Sequence, residues 1–300
     1  MNTKSQTKQS LNCDNKRILI YGCGYLGKEI GRQLVKHGTE VWGSTRSQEN
    51  IPNLRNAGIN PIISDWNQTA SLRDLDSFTH LIIAVSRGRH TKKNHWDSLV
   101  LGLGNLLPKL SRAQHFVYIS STGVYHQSGG IWVDENSPTF PTRPSARAHL
   151  AAENLLRRFC THQTWNILRL AGIYGPHRVP NRQQLLAGAP IQANPNSFLN
   201  LIHVEDAAQA AISALEKSDR TTYVISDDHP ARRGDYYSFI AKRLKAPEPT
   251  YMSTEKIDLI RPRSEGNKRV WNRKMKKQLL QKLKYSTFKD GLAPLLPPRH

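Results

Sequence analysis

The stretch ILIYGCGYLG, residues 18 to 27, decides the fold of this chain. A short apolar run ends there in three glycines at the spacing GxGxxG, namely Gly22, Gly24 and Gly27. The first glycine of such a loop permits a tight turn, the second lets the backbone approach a pyrophosphate, and the third lets the next helix pack closely. The N–H groups at the start of that helix, around Tyr25 and Leu26, favour an anion. The stretch therefore predicts a dinucleotide site.

Strand-like and helical patterns alternate through the first 172 residues. The apolar runs are RILIYG, EVWGST, INPIIS, HLIIAVS, HFVYISS and WNILRLAG, and helical periods such as KEIGRQLVKHG and HLAAENLLRRFC separate them. This alternation is typical of βαβ units in a parallel sheet with helices on both faces. Beyond residue 172 the pattern loosens into Pro- and Asn-rich loops around a helix EDAAQAAISALEK, a strand TTYVIS and a helix DYYSFIAKRLK.

These patterns predict an α/β protein of the Rossmann type, with a doubly wound parallel sheet and a smaller C-terminal substrate lobe. We expect residues 1–15 to be a disordered polar tail and residues 16–172 to form the NAD(P)-binding domain. Residues 173–300 should form the substrate-binding lobe, with a basic C-terminal helix, interwoven with the Rossmann core.

The net charge of +20 is the unusual feature of the composition. Such a charge attracts nucleic acid, acidic membranes and phosphorylated small molecules alike. Much of it lies in residues 267–292, where Met275, Leu279 and Leu283 recur every four residues and predict a terminal helix that docks by this stripe. The segment offers no aromatic platform for bases, and the chain has no zinc-finger or RNP pattern, so we do not expect a nucleic-acid partner.

The sequence also bears on location and metals. No apolar run approaches eighteen residues and the first sixteen residues are polar, so we expect a soluble cytoplasmic protein without a membrane span or signal peptide. Three scattered cysteines, Cys13, Cys23 and Cys160, form no CxxC pair. They predict a reducing compartment and no metal site.

The end of the second strand bears on the choice of cofactor. A protein that prefers NAD places Asp or Glu there to hold the ribose 2′-hydroxyl, whereas this chain has Thr45 and Arg46. A guanidinium group suits a 2′-phosphate, so the residues favour NADP(H), with NAD as the alternative. An arginine that lies at a strand end on the surface and binds no cofactor would give the same sequence pattern.

Three further segments carry a family resemblance: FVYISSTGVYHQSGG (116–130), LRLAGIYGP (168–176) and NLIHVEDAAQAA (200–211). They resemble the extended short-chain dehydrogenase/reductase superfamily, often labelled NAD-dependent epimerase/dehydratase. YVISDDHPARRGDYYSFIAKRL and KRVWNRKMKKQL resemble its atypical, YeeZ-like branch. The resemblance implies hydride chemistry on a small-molecule substrate, with Asp65 at the adenine and Ala84, Val85 and Ser86 along the cofactor.

The same resemblance exposes a departure from the family pattern. Alignment on LAAE (150–153) puts Ser145 where the family keeps a proton-transferring Tyr, and His149 where it keeps Lys. In the family the Lys holds the nicotinamide ribose and lowers the pKa of the Tyr, and a serine cannot be activated as readily. The catalytic candidates are therefore Ser121, at the family's Ser/Thr position, and Ser145, His149 and Tyr174; Tyr125 and His126 are further substitutes for the missing acid.

Three classes of function stay open. The first is an NADP-dependent reductase or epimerase/dehydratase acting on a small polar substrate, and the second is an NADP(H)-binding sensor without turnover. The third, a nucleic-acid-binding module, rests on charge alone. A homodimer would draw on SLVLGLGNLLPKL and HLAAENLLRRFC, although both segments equally suit helices that cover the sheet.

Overall fold

A computed structural model describes residues 16–86, 93–252 and 266–296 of the 300-residue chain. The predicted polar tail, residues 1–15, lies outside the described residues, and Cys13 lies outside them with it.

Seven strands form the central sheet: β1 Ile18–Tyr21, β2 Val41–Thr45, β3 Asn60–Ile63, β4 His80–Ile83, β5 His115–Ser121, β7 Thr164–Leu170 and β11 Arg220–Ile225. Their order is β11-β7-β5-β4-β1-β2-β3, and all neighbours are parallel. Six short strands pair outside this sheet: β6 Ile131–Val133, β8 Gly172–Tyr174, β9 Phe198–Leu199, β10 Leu201–His203, β12 Ala231–Arg232 and β13 Lys268–Val270. The predicted Rossmann-type fold is confirmed.

The helices connect and cover the strands. They are α1 Tyr25–Lys36, α2 Ile51–Arg55, α3 Gly102–Leu106, α4 Pro144–Phe159, α5 Arg182–Leu186, α6 Val204–Ala214, α7 Arg233–Leu244, α8 Arg273–Gln278 and α9 Phe288–Leu292. A π-helical segment, Asp97–Leu101, runs directly into α3. Among the described residues, no helix has the length and apolarity needed to cross a membrane.

Strand β1 shows why its residues are uniformly apolar. Its side chains alternate between faces, so Ile18 and Ile20 pack with α1 and α6, whereas Leu19 and Tyr21 pack with α3 and α4. All four are buried, because helices cover both faces of a parallel sheet.

The second half of the chain contributes to the same sheet. β11 pairs with β7, and α6 packs against α1. A separate apolar cluster, which includes Tyr174, Leu201, Tyr236 and Phe288, forms the core of the C-terminal lobe.

The basic C-terminal segment differs from the single docked helix that its periodicity predicts. It contains β13, then α8, which ends at Gln278, and then α9. Met275 and Leu283 are buried and Leu279 is half-buried, so the apolar stripe does pack against the protein. α8 ends where the N–H groups of Leu279 and Leu280 both donate to the Met275 carbonyl, at 2.8 and 3.0 Å, and further on the N–H groups of Lys284 and Tyr285 donate to the Asp206 carboxylate, at 2.8 and 3.0 Å, instead of forming helical bonds.

Candidate cofactor and active site

A crevice opens at the carboxyl ends of β1, β2 and β4, where the strand order reverses. Open α/β sheets bind ligands at this point. The crevice encloses about 260 Å³. Its lining includes eight of the predicted cofactor residues: Gly22, Gly24, Thr45, Arg46, Asp65, Ala84, Val85 and Ser86. Sequence reasoning missed nine others: Tyr21, Cys23, Ser44, Asn50, Ser64, Trp66, Asn67, Lys93 and Ser98.

The three glycines of the loop have different surroundings. Gly22 has a φ of +100°, and a Cβ atom there would lie 2.8 Å from the Val85 side chain. A Cβ atom on Gly27 would overlap the Gly22 carbonyl oxygen, so this glycine brings α1 close to β1. A Cβ atom on Gly24 would have no protein atom within 4 Å. The space beside Gly24 is therefore open to a ligand, as a pyrophosphate requires.

The start of α1 adds a positive partial charge to this loop. No side chain caps the helix, and its first turn holds no acidic residue. The first N–H groups of a helix have no intrahelical partner, and they attract anions. Tyr25 and Leu26 provide such groups, while their side chains point elsewhere: the Tyr25 hydroxyl donates to the Pro176 carbonyl at 2.9 Å, and Leu26 is buried.

Arg46 lies at the far end of the crevice, just after β2. Its side chain is exposed, and within the described part of the chain it forms no ion pair or hydrogen bond. The neighbouring Thr45 hydroxyl accepts from the Ser47 N–H at 3.3 Å and from the Asn50 side chain at 3.4 Å. Arg46 is thus free to hold an anionic group.

The remaining wall of the crevice follows β3. The Asp65 carboxylate accepts from the Asn67 N–H at 3.0 Å. Trp66, the next residue, is buried and stacks on Tyr21 with ring centroids 5.7 Å apart, and the Tyr21 hydroxyl bonds Ser64 at 2.9 Å. This aromatic pair gives the crevice a rigid side.

The catalytic candidates lie around the turn after β5. Because β5 pairs with β4, this turn is next to the crevice residues that follow β4. Ser121 ends β5, and its Oγ accepts from the Gly123 N–H at 3.0 Å, which leaves the hydroxyl proton available to donate. α4 packs against β5 and against this turn, and it carries Ser145 and His149 one helical turn apart. The structure therefore brings Ser121, Ser145 and His149 into one region.

His149 is held as a neutral imidazole. Its Nδ1 atom is buried without a hydrogen-bond partner among the described residues. Burial lowers the pKa of His149 to about 4, which outweighs the attraction of the nearby Glu153 carboxylate. At neutral pH His149 is therefore uncharged, and it does not supply the positive charge of a lysine.

A buried polar network supports this region from below. Glu153 of α4 accepts from the Ser120 hydroxyl at 2.6 Å and from two nitrogens of Arg169 at 3.1 and 2.8 Å. Arg169 also donates to the Tyr125 hydroxyl at 2.9 Å. These bonds connect α4 to β5 and β7. The sequence signals were the Glu of LAAE and the Arg of LRLAG, neither of which was assigned a role.

The structure places the other candidates elsewhere. Tyr174 is fully buried in the core of the C-terminal lobe; burial raises its pKa, and its hydroxyl donates to the Thr287 carbonyl at 3.3 Å. Tyr125 is also buried, which raises its pKa to about 12 despite the nearby Arg169. His126 is exposed, and its Nδ1 accepts from the Phe140 N–H at 3.3 Å.

Similarity to known proteins identifies the family of this chain. The model of the NAD dependent epimerase/dehydratase family matches residues 18–226. The chain belongs to this family. It is similar to the Escherichia coli protein YeeZ, with 26% identity over 255 residues, which are 80% of this chain and 88% of YeeZ.

Two solved structures of similar fold extend the comparison. A functionally unknown conserved protein from Silicibacter pomeroyi aligns with a TM-score of 0.78 and 28% identity, over 94% of this chain and 98% of that one. DesIV, a dTDP-glucose 4,6-dehydratase from Streptomyces venezuelae solved with NAD and TYD, aligns with a TM-score of 0.78 over 93% of this chain and 95% of its own. At 18% identity, the likeness to DesIV shows the fold alone.

Proposed function

We propose that this member of the family is an NADP(H)-dependent oxidoreductase or epimerase/dehydratase that acts on a small polar substrate. The observation that carries the proposal is that the Gly22–Gly27 loop, Arg46 and the turn after β4 share one crevice, with Ser121 on the adjacent strand. A dinucleotide that follows this crevice from Arg46 past Gly24 would bring its nicotinamide towards Ser121.

The side chains at the end of β2 favour NADP(H), which carries a 2′-phosphate, over NAD(H). Arg46 is exposed and unpaired within the described residues, and neither of the residues at the end of β2, Thr45 and Arg46, is a carboxylate that could hold a ribose 2′-hydroxyl. A guanidinium can bind a phosphate through two parallel hydrogen bonds. The open space at Gly24 and the uncapped start of α1 fit the pyrophosphate.

The proposed chemistry divides between Ser121 and His149. A bound nicotinamide would supply or accept the hydride. The Ser121 hydroxyl would donate a hydrogen bond to the substrate oxygen and orient it. A proton taken from solvent and relayed through His149, which is neutral and has one ring nitrogen without a hydrogen-bond partner among the described residues, would reach the substrate oxygen in place of the proton that the family's Tyr supplies. We assign Ser145 to the same proton path and give Tyr174 no part in it, because its hydroxyl is buried in the other lobe.

The test is NADPH oxidation with a panel of aldehydes, ketones and nucleotide sugars. A substrate-dependent rate should fall by about 100-fold or more in Ser121→Ala, the loss expected when one hydrogen-bond donor to the reacting oxygen is removed, with little change in NADPH affinity. Ser128→Ala is the matched control, because it removes an exposed hydroxyl from the loop that follows. An equal rate in Ser121→Ala would refute the assignment of Ser121.

A second candidate function is a catalytically silent NADP(H)-binding sensor. It is favoured by one observation: the hydroxyls of Tyr125 and Tyr174, which could have replaced the missing phenol, are both engaged in buried hydrogen bonds. The sensor would bind NADPH through the same crevice but would oxidise it with no member of the panel. Ser121→Ala would then leave NADPH binding nearly unchanged.

We further propose that the protein assembles as a homodimer through α4 and the helix that contains α3. These two helices pack side by side, and they or their ends expose three large apolar side chains, Trp96 at 49%, Leu101 at 52% and Phe159 at 36%. Light scattering of the native protein and of Leu101→Glu measures the mass. A dimer that Leu101→Glu dissociates supports the proposal, and a wild-type monomer contradicts it.

A further inference from the structure

Two positively charged side chains near Ser121 have no anionic partner in the part of the chain that the structure describes. Lys268 of β13 is 4% exposed, and Arg143, directly before α4, is half-buried. Among the described residues, neither forms an ion pair with a carboxylate. Buried charges in proteins are normally paired, so this arrangement requires an explanation.

Lys268 is the more unusual of the two. Its Nζ donates to the Tyr125 carbonyl at 3.1 Å, which uses one of the three N–H bonds of the ammonium group. The charge that acts on it most strongly is that of Arg143, which has the same sign; burial first, and then this neighbour, lower the pKa of Lys268 to about 8. Lys268 contacts the residue that directly follows the Thr122–Val124 turn, and Arg143 lies beside Gly123 within the same turn, so the two positive charges are close to one another.

Arg143 places this pair beside the catalytic candidates. Its Nη2 atom lies 3.5 Å from the point that a Cβ atom on Gly123 would occupy, and the Ser121 Oγ lies 3.2 Å from the same point. The absence of a side chain at Gly123 keeps the space between them open. The orphaned, buried Nδ1 of His149 is on the same helix, about one and a half turns further on.

The start of α4 adds to the positive potential. This sixteen-residue helix begins after Arg143 without a side-chain cap, and its first turn contains no acidic residue. The partial positive charge of its first N–H groups therefore meets no negative side chain there. Three sources of positive potential converge near Ser121: Arg143, Lys268 and this helix terminus.

From this geometry we infer that Arg143 and Lys268 form the subsite for an anionic group of the substrate, a carboxylate or a phosphate close to the reacting carbonyl. The inference rests on the proposed function, because it places the anion next to the Ser121 hydroxyl that would hold the substrate oxygen. It narrows the substrate class to oxo acids or phosphate esters of small carbonyl compounds.

Binding of simple anions tests the subsite without turnover. Calorimetric titration with oxalate and with inorganic phosphate, at constant ionic strength and with NADPH present, should show binding that Arg143→Gln weakens about 10- to 100-fold, the loss expected for a charge-assisted hydrogen bond. Arg158→Gln is the matched control, since it removes an exposed arginine at the opposite end of α4, about 22 Å away. Arg143→Gln should keep its fold, because the Arg143 side chain forms no hydrogen bond or ion pair with the residues that the structure describes. Lys268→Met is a second variant.

The turnover arms separate carboxylate from phosphate. The rate of NADPH oxidation is measured with a 2-oxo acid and its amide, and with a phosphorylated aldehyde and its unphosphorylated form. In one of these two pairs the anionic compound should react faster, and Arg143→Gln should abolish that difference in rate. If no carbonyl is reduced but anion binding depends on Arg143, the proposed function fails and the subsite stands. If Arg143→Gln and Lys268→Met bind oxalate and phosphate as the wild type does, the subsite is refuted, whether or not the protein turns over.

Discussion

Replacement of Arg46 by alanine should change the cofactor preference and leave the fold intact. Arg46 is exposed and has no hydrogen bond or ion pair within the described residues, so its loss removes no stabilising contact. A charge-assisted hydrogen bond contributes roughly 1.5 to 3 kcal/mol. We therefore expect the Kd for NADPH to rise about 10- to 100-fold. The Kd for NADH should change little, because NADH has no 2′-phosphate.

Fluorescence titration of both nucleotides gives the two constants. Arg55→Ala is the control, since Arg55 lies exposed at the end of the neighbouring α2 and its side chain forms no hydrogen bond or ion pair with any described residue. Its loss changes the net charge equally. Because the contact is exposed, the preference of the wild type for NADPH should also weaken as salt is added. An equal loss of affinity for NADPH and NADH in Arg46→Ala, or an unchanged ratio, would refute the assignment of Arg46 to the 2′-phosphate.

Three further predictions follow from the same structure. Gly24→Val should keep the melting temperature close to that of the wild type and lose NADPH binding. Gly27→Ala should instead lower the unfolding free energy by about 1 to 3 kcal/mol, because its Cβ atom would overlap the Gly22 carbonyl. Calorimetry with and without NADPH distinguishes the loss of binding from the loss of stability. Glu153→Ala should lower the free energy of unfolding in urea by about 3 to 5 kcal/mol, because it leaves Arg169 buried without its ion-pair partner. The double variant Glu153→Met/Arg169→Met should recover much of that loss, because it removes both charges. Burial lowers the pKa of His115 from 6.5 to about 4, so between these pH values the unfolded chain binds a proton that the folded protein does not. The contribution of His115 to stability is therefore complete above pH 6.5 and is lost as the pH falls towards 4. In His115→Gln, the free energy of urea unfolding should depend less on pH within that window.

The seven strands of the central sheet could be predicted from sequence because each is an apolar run bounded by turns. RILIYG, EVWGST and TTYVIS correspond to β1, β2 and β11, and both faces of the sheet are covered, so the runs are continuous rather than alternating. The six strands outside the sheet could not be predicted in this way. Each has two or three residues, too few to show a period, and only tertiary pairing defines them.

The site could be predicted from sequence where its residues lie close together along the chain, next to a strand that the sequence also predicts. The glycine loop and Arg46 have fixed positions relative to β1 and β2, so the spacing along the chain places them. Arg143 and Lys268 were missed because they are far apart in the sequence and meet only when β13 pairs with β6. The prediction of one continuous C-terminal helix was wrong for a related reason, since the segment beyond α8 bonds to a distant residue: Asp206 accepts from the N–H groups of Lys284 and Tyr285.

The positions of charge around Ser121 suggest how this chain compensates for its missing pair. A neutral imidazole at His149 cannot lower the pKa of a neighbouring hydroxyl through its charge, as the family's lysine does for its tyrosine. Arg143 and Lys268 lie beside the same turn, and in the subsite that we infer their charges, together with the start of α4, would hold an anionic group of the substrate next to Ser121. Under this proposal, proton transfer and the supply of positive charge, which the family places in one Tyr-Lys pair, would be divided between His149 and the two cations. The buried Glu153–Arg169 pair, which connects α4 to the sheet, would hold both sets of groups in register.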